Sequence, residues 1–303
     1  MAMAKVKGEL DLRKLEVFYW VAELKSFSLA ARHLALRQPT VSAHIRELEE
    51  SFGAKILSRV GGAVAPTPLG RVLFERAKAL QIQKRETLAA VDAFQGTVRG
   101  DLLIGGSNIP GEYILPGKLA AFIAKFPEVK PILRIADSAG IVEMVLGGDV
   151  ELGFVGFKGD DRRLAFQKIW KDRMVLVVPR NHPWHRLRSI NLKDLHEGRF
   201  ISREGGSGTL RSLQRLLARK GYVTGKLLNV TMELGSTEAV KEALIGAAGV
   251  SILSRTAVER EIRQGLLKVV PIRGLKLERD FYRIHHRHRP LSPVSQAFIR
   301  FIR

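Results

Sequence analysis

Cysteine is absent from the 303 residues of this chain. That absence removes disulfides, thiolate metal sites and cysteine nucleophiles together, and it is compatible with a reducing compartment. Long apolar runs are missing too. The apolar residues come in short blocks, and none approaches the run of about 18 that a membrane-spanning helix needs. The first eleven residues interleave Lys5, Lys7, Glu9 and Asp11 without an apolar stretch, so no secretory signal is expected. The expectation is a cytoplasmic protein with no membrane partner. Acidic residues are scarce beside basic ones, 30 Asp and Glu against 50 Lys and Arg, a formal net charge of +20. A field of that sign concentrates phosphate-bearing partners, although a solvated basic surface gives the same count. The excess is uneven. Residues 1–95 carry 15 basic against 10 acidic side chains, and residues 96–303 carry 35 against 20. Most of it therefore lies outside the N-terminal segment. The length suits two or three domains, each with its own core.

What is present begins with helices. Leu12, Leu15, Val17, Phe18, Trp20, Val21 and Leu24 contain an i, i+3, i+4 stripe, the mark of an amphipathic helix packed on a core. Ser28 offers a hydroxyl N-cap for a short second helix whose Ala30 and Ala31 let another helix approach closely. Pro39 fits a first helical position, where its missing N–H costs nothing. The third helix repeats Val41, Ile45, Leu48 and Phe52 at steps of 4, 3 and 4, which fixes its buried side. At 100° per residue Pro39, Ala43, Arg46 and Glu50 then point outward, with Thr40, Ser42 and Glu47 on the flanks. A helix that enters a major groove needs such a small, polar N-terminal face, because bulky apolar groups keep its backbone from the base edges. Gln38, Thr40 and Ser42 can hydrogen-bond bases or phosphates, and Arg46 suits a phosphate. Three packed helices with no DNA role would show the same buried stripe.

The stretch from Ala30 to Glu49, with its Gln38-Pro39, Val41-Ser42 and Leu48-Glu49 pairs, continues through Phe52-Gly53, Arg59 and Thr67-Pro68-Leu69-Gly70. Over about 45 residues it resembles the signature of LysR-type transcriptional regulators. Two departures stand out: Ala43 occupies the place of a long polar reader in many members, and Leu69 replaces a small residue. The Ala43 methyl remains able to touch a thymine methyl. The resemblance implies a winged helix-turn-helix over residues 1–67, with a wing hairpin turned at Gly61-Gly62. Its expected DNA-binding set is Ser28, Arg32, Gln38, Pro39, Thr40, Ser42, Ala43, Arg46 and Arg59. Arg59 would lie beside a phosphate or a narrow minor groove, or would merely close the hairpin onto the third helix. From Pro68 a segment runs to Phe94 with no internal Pro, carrying Leu69, Leu73, Ala77, Leu80, Thr87, Val91 and Phe94 at coiled-coil-like spacing, broken by Lys84. About 27 helical residues reach roughly 40 Å, too long a stripe to bury against one small domain, so a second chain is the expected partner. The resemblance implies the same: a linker helix (68–95) forming an antiparallel homodimer that presents two readers to double-stranded DNA, with dimers pairing into tetramers. Gly96-Thr97-Val98-Arg99-Gly100 reads as a hinge.

Beyond Gly100 strands and helices alternate: strands near 102–105, 130–136 and 152–157, helices over 113–126 and 138–146, then a second set between 174 and 253. That order predicts an α/β fold with parallel sheet. The fold class expected for the whole chain is α + α/β: a winged helix-turn-helix, a long linker helix and a two-lobed periplasmic-binding-protein-like effector domain over 96–303. Lobe I spans about 100–172 and 274–303, and lobe II about 173–273. The strand around Phe281–His285 and the helix from Pro293 to Ile302 return the chain to lobe I. Ligands in such folds sit beyond the carboxyl ends of strands, where helix N-termini converge. Three polar, glycine-rich turns occupy such points: Gly105 to Asn108, Ser202 to Thr209, and Gly235 to Thr237. Each pairs hydroxyls with free N–H groups at a helix start, an arrangement that binds a small anion, although each alone reads as an ordinary N-cap. The expected effector-binding set is Ser107, Asn108, Ser202, Arg203, Glu204, Ser207, Gly208, Thr209, Ser236 and Thr237. Within it Arg203 complements the anion, and Glu204 orients it or caps the helix. The Arg203-to-Thr209 segment is also similar to a subset of the family associated with sulfur, selenium or carbon fixation, which implies a sulfur or selenium oxyanion, with a carboxylate as the alternative.

Catalytic readings fare poorly. Gly205 to Thr209 lacks the Lys of a phosphate-binding loop and does not match the hydrolase nucleophile elbow. On a strand only His286 and His288 share a face, with no thiol or carboxylate nearby in sequence, so a basic strand end is favoured over a metal site. Trp170 and Trp184 are expected to pack at lobe surfaces. No cofactor and no metal is expected, and nothing resembles a catalytic acid, base and nucleophile set. A ligand-responsive transcription factor is the leading reading. The alternatives are a cytoplasmic small-anion-binding module without gene-specific DNA recognition, and an enzyme built on the same lobes.

Overall fold

The computed structural model describes residues 10–60, 63–94 and 98–303, and it divides into two compact units, 1–89 and 90–303. In the first unit, α1 (Leu12–Leu24) starts where the Asp11 carboxylate accepts from the N–H groups of Arg13 and Lys14, and it stops at Lys25, whose φ of 51° is left-handed. The next helix, α2 (Phe27–His33), is capped by Ser26, which accepts from Leu29 N at 3.2 Å. Ser28 is the cap expected from the sequence; the chain instead turns one step before Phe27, and Ser28 is left exposed in the first helical turn. In α3 (Gln38–Phe52) Pro39 stands at the second position rather than the first, and Gly53 at φ 64° closes the helix. Val41, Ile45 and Leu48 are buried against Phe18, Val21 and Ala30, as the 4-3-4 spacing requires. The strands β1 (Leu57–Val60) and β2 (Ala63–Pro66) form an antiparallel hairpin. Its expected turn, Gly61-Gly62, lies outside the described residues.

Glu49 adds something that periodicity does not foretell. Its carboxylate is buried and accepts from Ile56 N at 3.1 Å and from Lys55 Nζ at 2.6 Å, fastening the end of α3 to the start of the hairpin. Gly70, in the first turn of α4 (Pro68–Phe94), is required by space: a Cβ there would lie 1.9 Å from the Ile56 carbonyl oxygen. The expectation that α4 cannot bury its stripe on its own domain holds for only part of its length. Leu73, Phe74 and Ala77 join the domain's core, and the Phe74 ring stacks on Tyr19 at 5.5 Å. Lys84 pairs with Glu16 at 2.9 Å. Further along, Leu80, Leu88 and Val91 are exposed. Of the expected hinge, Gly96 and Thr97 lie outside the described residues.

The second unit is built on β3 (Gly100–Ser107), β4 (Val129–Ala136), β5 (Leu152–Val155), β6 (Leu164–Pro179), β7 (Arg199–Arg203), β8 (Asn229–Leu234), β9 (Ser251–Ser254), β10 (Leu267–Val269) and β11 (Glu278–His286). Its helices are α5 (Leu115–Lys125), α6 (Ser138–Gly147), α7 (Gly208–Ala218), α8 (Thr224–Leu227), α9 (Thr237–Ile245), α10 (Arg255–Arg263) and α11 (Pro293–Phe301). Where the sequence predicts one helix over 113–126, the segment opens as a π-helical turn, Pro110–Ile114, before α5. The sheet is mixed, not purely parallel. In the order β10-β6-β11-β5-β3-β4, β3 pairs in parallel with β4 and β5, whereas β11 runs antiparallel to β5 and β6. The reason is the returning β11, which enters lobe I from the opposite direction.

The strand β6 belongs to both lobes. Its residues Leu164 to Arg173 pair with β11, and Met174 to Pro179 pair with β9 and β10. One unbroken strand thus crosses the sequence-derived lobe limit at 172/173, changing partners between Arg173 and Met174. Each lobe keeps its own core, Phe122, Phe154 and Phe298 in lobe I and Leu176, Phe200 and Leu213 in lobe II. Trp184 is no surface residue: it is 7% exposed inside the lobe II core, and Trp170 stacks on Phe154 at 5.4 Å.

Candidate functional site

In the first unit most of the expected DNA-facing residues are open to solvent. Ser28, Arg32, Gln38, Pro39, Thr40 and Arg46 are exposed, and Ser42 and Ala43 are half-buried at the start of α3. Ser28 Oγ donates to Gln38 Oε1 at 3.1 Å. With its carbonyl oxygen held by α2, Gln38 presents its amide N–H groups outward as donors, suited to purine N7 and O6 or to phosphate. Arg59 is placed on β1 opposite Val64, and its side chain lies outside the described residues. Gln38→Ala is expected to weaken specific DNA binding by roughly 1–3 kcal/mol and to relax preference at one base pair. Arg46→Ala should weaken binding to all sequences alike and reduce the salt slope by about one. Mobility shifts over a salt series, with specific and random duplexes, separate the two effects.

In the second unit the lobes meet where β3, α6 and α7 converge. Ser107, Asn108, Ser138, Arg203, Thr209 and Arg279 line a cavity there, together with Gly156 and Ser207-Gly208. Two helices aim their N-termini into this region. Ser207 caps α7 and accepts from Thr209 N at 3.2 Å, and Asp137 caps α6 and accepts from Gly140 N at 2.7 Å. The glycines are set by contact between lobes: a Cβ on Gly208 would lie 2.6 Å from Ser138 Oγ, and one on Gly206 would overlap the Asp137 carboxylate. Little space remains, a cavity of about 10 Å³, with room for about one water.

Two buried guanidinium groups dominate the electrostatics, and they differ in how fully they are used. Arg203 donates to both Glu204 carboxylate oxygens at 2.8 and 2.7 Å, to Thr237 Oγ1 at 2.7 Å and to Asn108 Oδ1 at 3.1 Å. Arg203, expected to complement the anion, lines the cavity and ties lobe II to Asn108 of lobe I. Arg279 donates through Nε to Asp172 at 2.7 Å and through Nη1 to Thr209 Oγ1 at 3.0 Å, while its buried Nη2 has no acceptor. Burial pushes the Arg279 pKa down and Arg203 adds to that, against the opposing pull of Asp172. Beside them burial holds the Glu112 carboxyl above its usual range. The lobes are also latched by Tyr113 OH, which donates to Glu238.

Of the expected effector set, the structure brings Ser107, Asn108, Arg203, Ser207, Gly208 and Thr209 to the cavity. Four others are elsewhere. Ser202 donates to the backbone oxygen of Arg203, Glu204 holds the Arg203 guanidinium, Ser236 caps α9, and Thr237 is bonded to Arg203. Sequence reasoning missed Ser138, Gly156 and Arg279. Ser138 was findable, because Ala136-Asp137-Ser138 is a strand end running into a capped helix by the rule that found the other turns. Arg279 was not, since its partner Asp172 is 107 residues away.

Comparisons with known proteins match both units. The family model described as "Bacterial regulatory helix-turn-helix protein, lysR family" covers residues 12–71, and "LysR substrate binding domain" covers 95–303. The chain is 33% identical to the "Uncharacterized HTH-type transcriptional regulator MJ0300" of Methanocaldococcus jannaschii, over 95% of this chain and 96% of that one. It is 30% identical to the "HTH-type transcriptional regulator CysL" of Bacillus subtilis, over 89% of each. Among solved structures, a full-length OxyR variant from Pseudomonas aeruginosa shares the fold with a TM-score of 0.72 at 18% identity, covering 97% of this chain and 94% of that one. The Synechocystis CcmR regulatory domain in complex with 2-PG aligns with a TM-score of 0.61 at 27% identity, covering 67% of this chain and 96% of that domain. Among the described residues no helix is long and apolar enough to cross a membrane.

Proposed function

The chain belongs to the LysR family of transcriptional regulators, DNA-binding proteins with an effector-binding domain, and from that premise we propose that its effector is a small oxyanion or carboxylate held between the lobes by Arg279. The observation that carries this reading is the Arg279 Nη2 group, buried and without an acceptor, beside a second buried guanidinium and two helix N-termini. An unpaired buried donor on a charged group costs free energy, and an anion in the cavity relieves that cost. Because the cavity takes about one water, an anion with several oxygens must part the lobes. The contacts it strains are Arg203–Asn108 and Tyr113–Glu238, so binding and lobe angle are linked, and lobe angle is what the DNA-binding unit can be made to sense. Gln38, Thr40 and Ser42, with Arg59 of the hairpin, read the operator, Arg46 anchors it through a phosphate, and the exposed seam of α4 pairs two such readers.

Sulfate, sulfite, thiosulfate, selenite, phosphate and short carboxylates are the probes, with sulfur and selenium oxyanions expected to rank first. An anion at 100 times its Kd stabilises the folded state by about 2.7 kcal/mol, which for a domain of this size raises Tm by about 5–10 °C. The variant that removes the site without stranding a charge is the double substitution Asp172→Asn with Arg279→Met, and it should lose the shift. If a neutral metabolite raises Tm and no anion does, or if the double variant keeps the full anion shift, the proposed pocket chemistry is wrong.

A further inference from the structure

A second arginine of β11 is buried without a counter-ion, and it lies away from the cleft between the lobes. Arg283 stands opposite Phe154 of β5 and Gln167 of β6, and residues opposite one another on paired strands face the same side of a sheet. Phe154 belongs to the lobe I core with Phe122 and Phe298, so Arg283 carries a charge onto an apolar face. It is 8% exposed. Nη2 donates to Gln167 Oε1 at 2.5 Å, and Nε, also buried, has no acceptor. The nearby charge that acts on it is another cation, Arg303, which lowers its pKa further after burial has done so. A guanidinium in these conditions costs stability unless something supplies the missing negative charge.

The cavity it lines is of ligand size. About 390 Å³ lies open between β6, β11, α5 and α11, bordered by Lys118, Lys168, Trp170, Arg283, Ile302 and Arg303. Lys168 is neutralised by Asp280 at 2.5 Å. Lys118 Nζ lies 5.6 Å from the Trp170 ring centroid, and among the described residues neither it, Arg283 nor Arg303 has a carboxylate partner. Three uncompensated cations thus surround an apolar floor of Trp170 and Ile302.

We propose that this lobe I cavity is a second ligand site, separate from the cleft, for a small organic dianion: two oxyanionic groups on a short carbon frame, as in a dicarboxylate or a phosphate monoester. One acidic group forks onto Arg283, the carbon frame covers Trp170 and Ile302, and the second group meets Lys118 and Arg303 near the rim. Inorganic phosphate lacks the frame and a monocarboxylate lacks the second charge, so both bind more weakly.

The test uses the full chain and calorimetric titration with succinate and glycerol 3-phosphate as the two dianion sources, and with propionate and inorganic phosphate as controls. Arg283→Met replaces the unpaired charge with an apolar chain of similar reach; it is expected to hold or raise the ligand-free Tm and to weaken the preferred dianion by about 10–100-fold. Lys118→Ala, a half-exposed position that leaves the core intact, should weaken it several-fold. The Asp172→Asn/Arg279→Met protein should bind the dianion unchanged, which keeps this site's fate distinct from that of the cleft. The proposal is overturned if neither dianion binds at millimolar concentration, if propionate and inorganic phosphate bind as tightly, if Arg283→Met leaves affinity within twofold, or if the loss follows Arg279 instead.

Discussion

Asp172→Ala is expected to destabilise the effector domain by about 3–5 kcal/mol, the cost of leaving a buried charge without its partner. The Asp172 side chain is 1% exposed and holds the Arg279 Nε at 2.7 Å. Its other oxygen accepts from Ser254 Oγ at 2.7 Å, so one carboxylate joins β6, β9 and β11. Alanine strands the Arg279 guanidinium, whose Nη2 already lacks an acceptor, and it orphans the Ser254 hydroxyl. For a domain of about 200 residues, 3–5 kcal/mol corresponds to a fall in Tm of roughly 6–20 °C. Replacing both partners, as Asp172→Asn with Arg279→Met, should recover most of the loss, because no charge is then stranded and Asn still meets Ser254. Urea unfolding of the two single variants and the pair gives the coupling directly. A cost below 1 kcal/mol for Asp172→Ala would mean that water reaches Arg279 and that the pair is not a dry one.

The same residues show where sequence reasoning loses its grip. The α3 stripe was legible because a helix repeats its buried side every three or four residues, and Val41, Ile45 and Leu48 obey that locally. The turns at Ser207 and Ser236 were legible because capping chemistry is local too. The first half of β6 was not. Leu164 to Arg173 mixes Gln167, Lys168, Lys171 and Asp172 with Phe166, Ile169 and Trp170, and no alternation survives because Asp172 is buried by its bond to Arg279 rather than by an apolar face. The sequence led to Ser28 as the cap of α2, and the helix starts earlier, with Ser26 accepting from Leu29 N. Neither arginine of β11, Arg279 or Arg283, stands out in the sequence. Their value lies in what they meet from other strands, Asp172 for one and Gln167 for the other, and a single sequence does not record such pairings. The Arg203-to-Thr209 turn lies at the cavity, as the sequence led one to expect, and Arg203 itself is tied up in bonds to neighbouring side chains. Every guanidinium nitrogen of Arg203 has an acceptor, whereas Arg279, from the returning strand, holds a buried nitrogen that has none.

Leu80→Glu together with Leu88→Glu should break the pairing of two α4 helices, lower the particle mass and reduce affinity for an operator with two half-sites by about 10²–10⁴-fold. Helical rotation of 100° per residue places Leu80 about 20° and Val91 about 0° from Leu73, and Leu88 about 20° from Ala77. One face of α4 therefore runs the whole length of the helix. Where Leu73 and Ala77 lie on it, that face is buried in the core of the helix-turn-helix unit. Farther on it continues as Leu80, Leu88 and Val91, and Leu88 is 58% exposed. An exposed apolar seam of this kind suits a second copy of the helix, and that pairing, as proposed above, is what the two substitutions test. Glutamate keeps helix propensity, so the substitutions act on the seam and not on the helix, and far-ultraviolet circular dichroism should be unchanged. Both readers on one particle bind a two-fold site with the second contact nearly intramolecular; separate readers lose that gain although Gln38 and Arg46 are untouched. Sedimentation velocity gives the particle mass, and mobility shift on half-site and full-site duplexes gives the affinities. Half-site binding should be unaltered while full-site binding falls to it. A particle that stays dimeric with full-site affinity intact would place the pairing surface elsewhere than on α4.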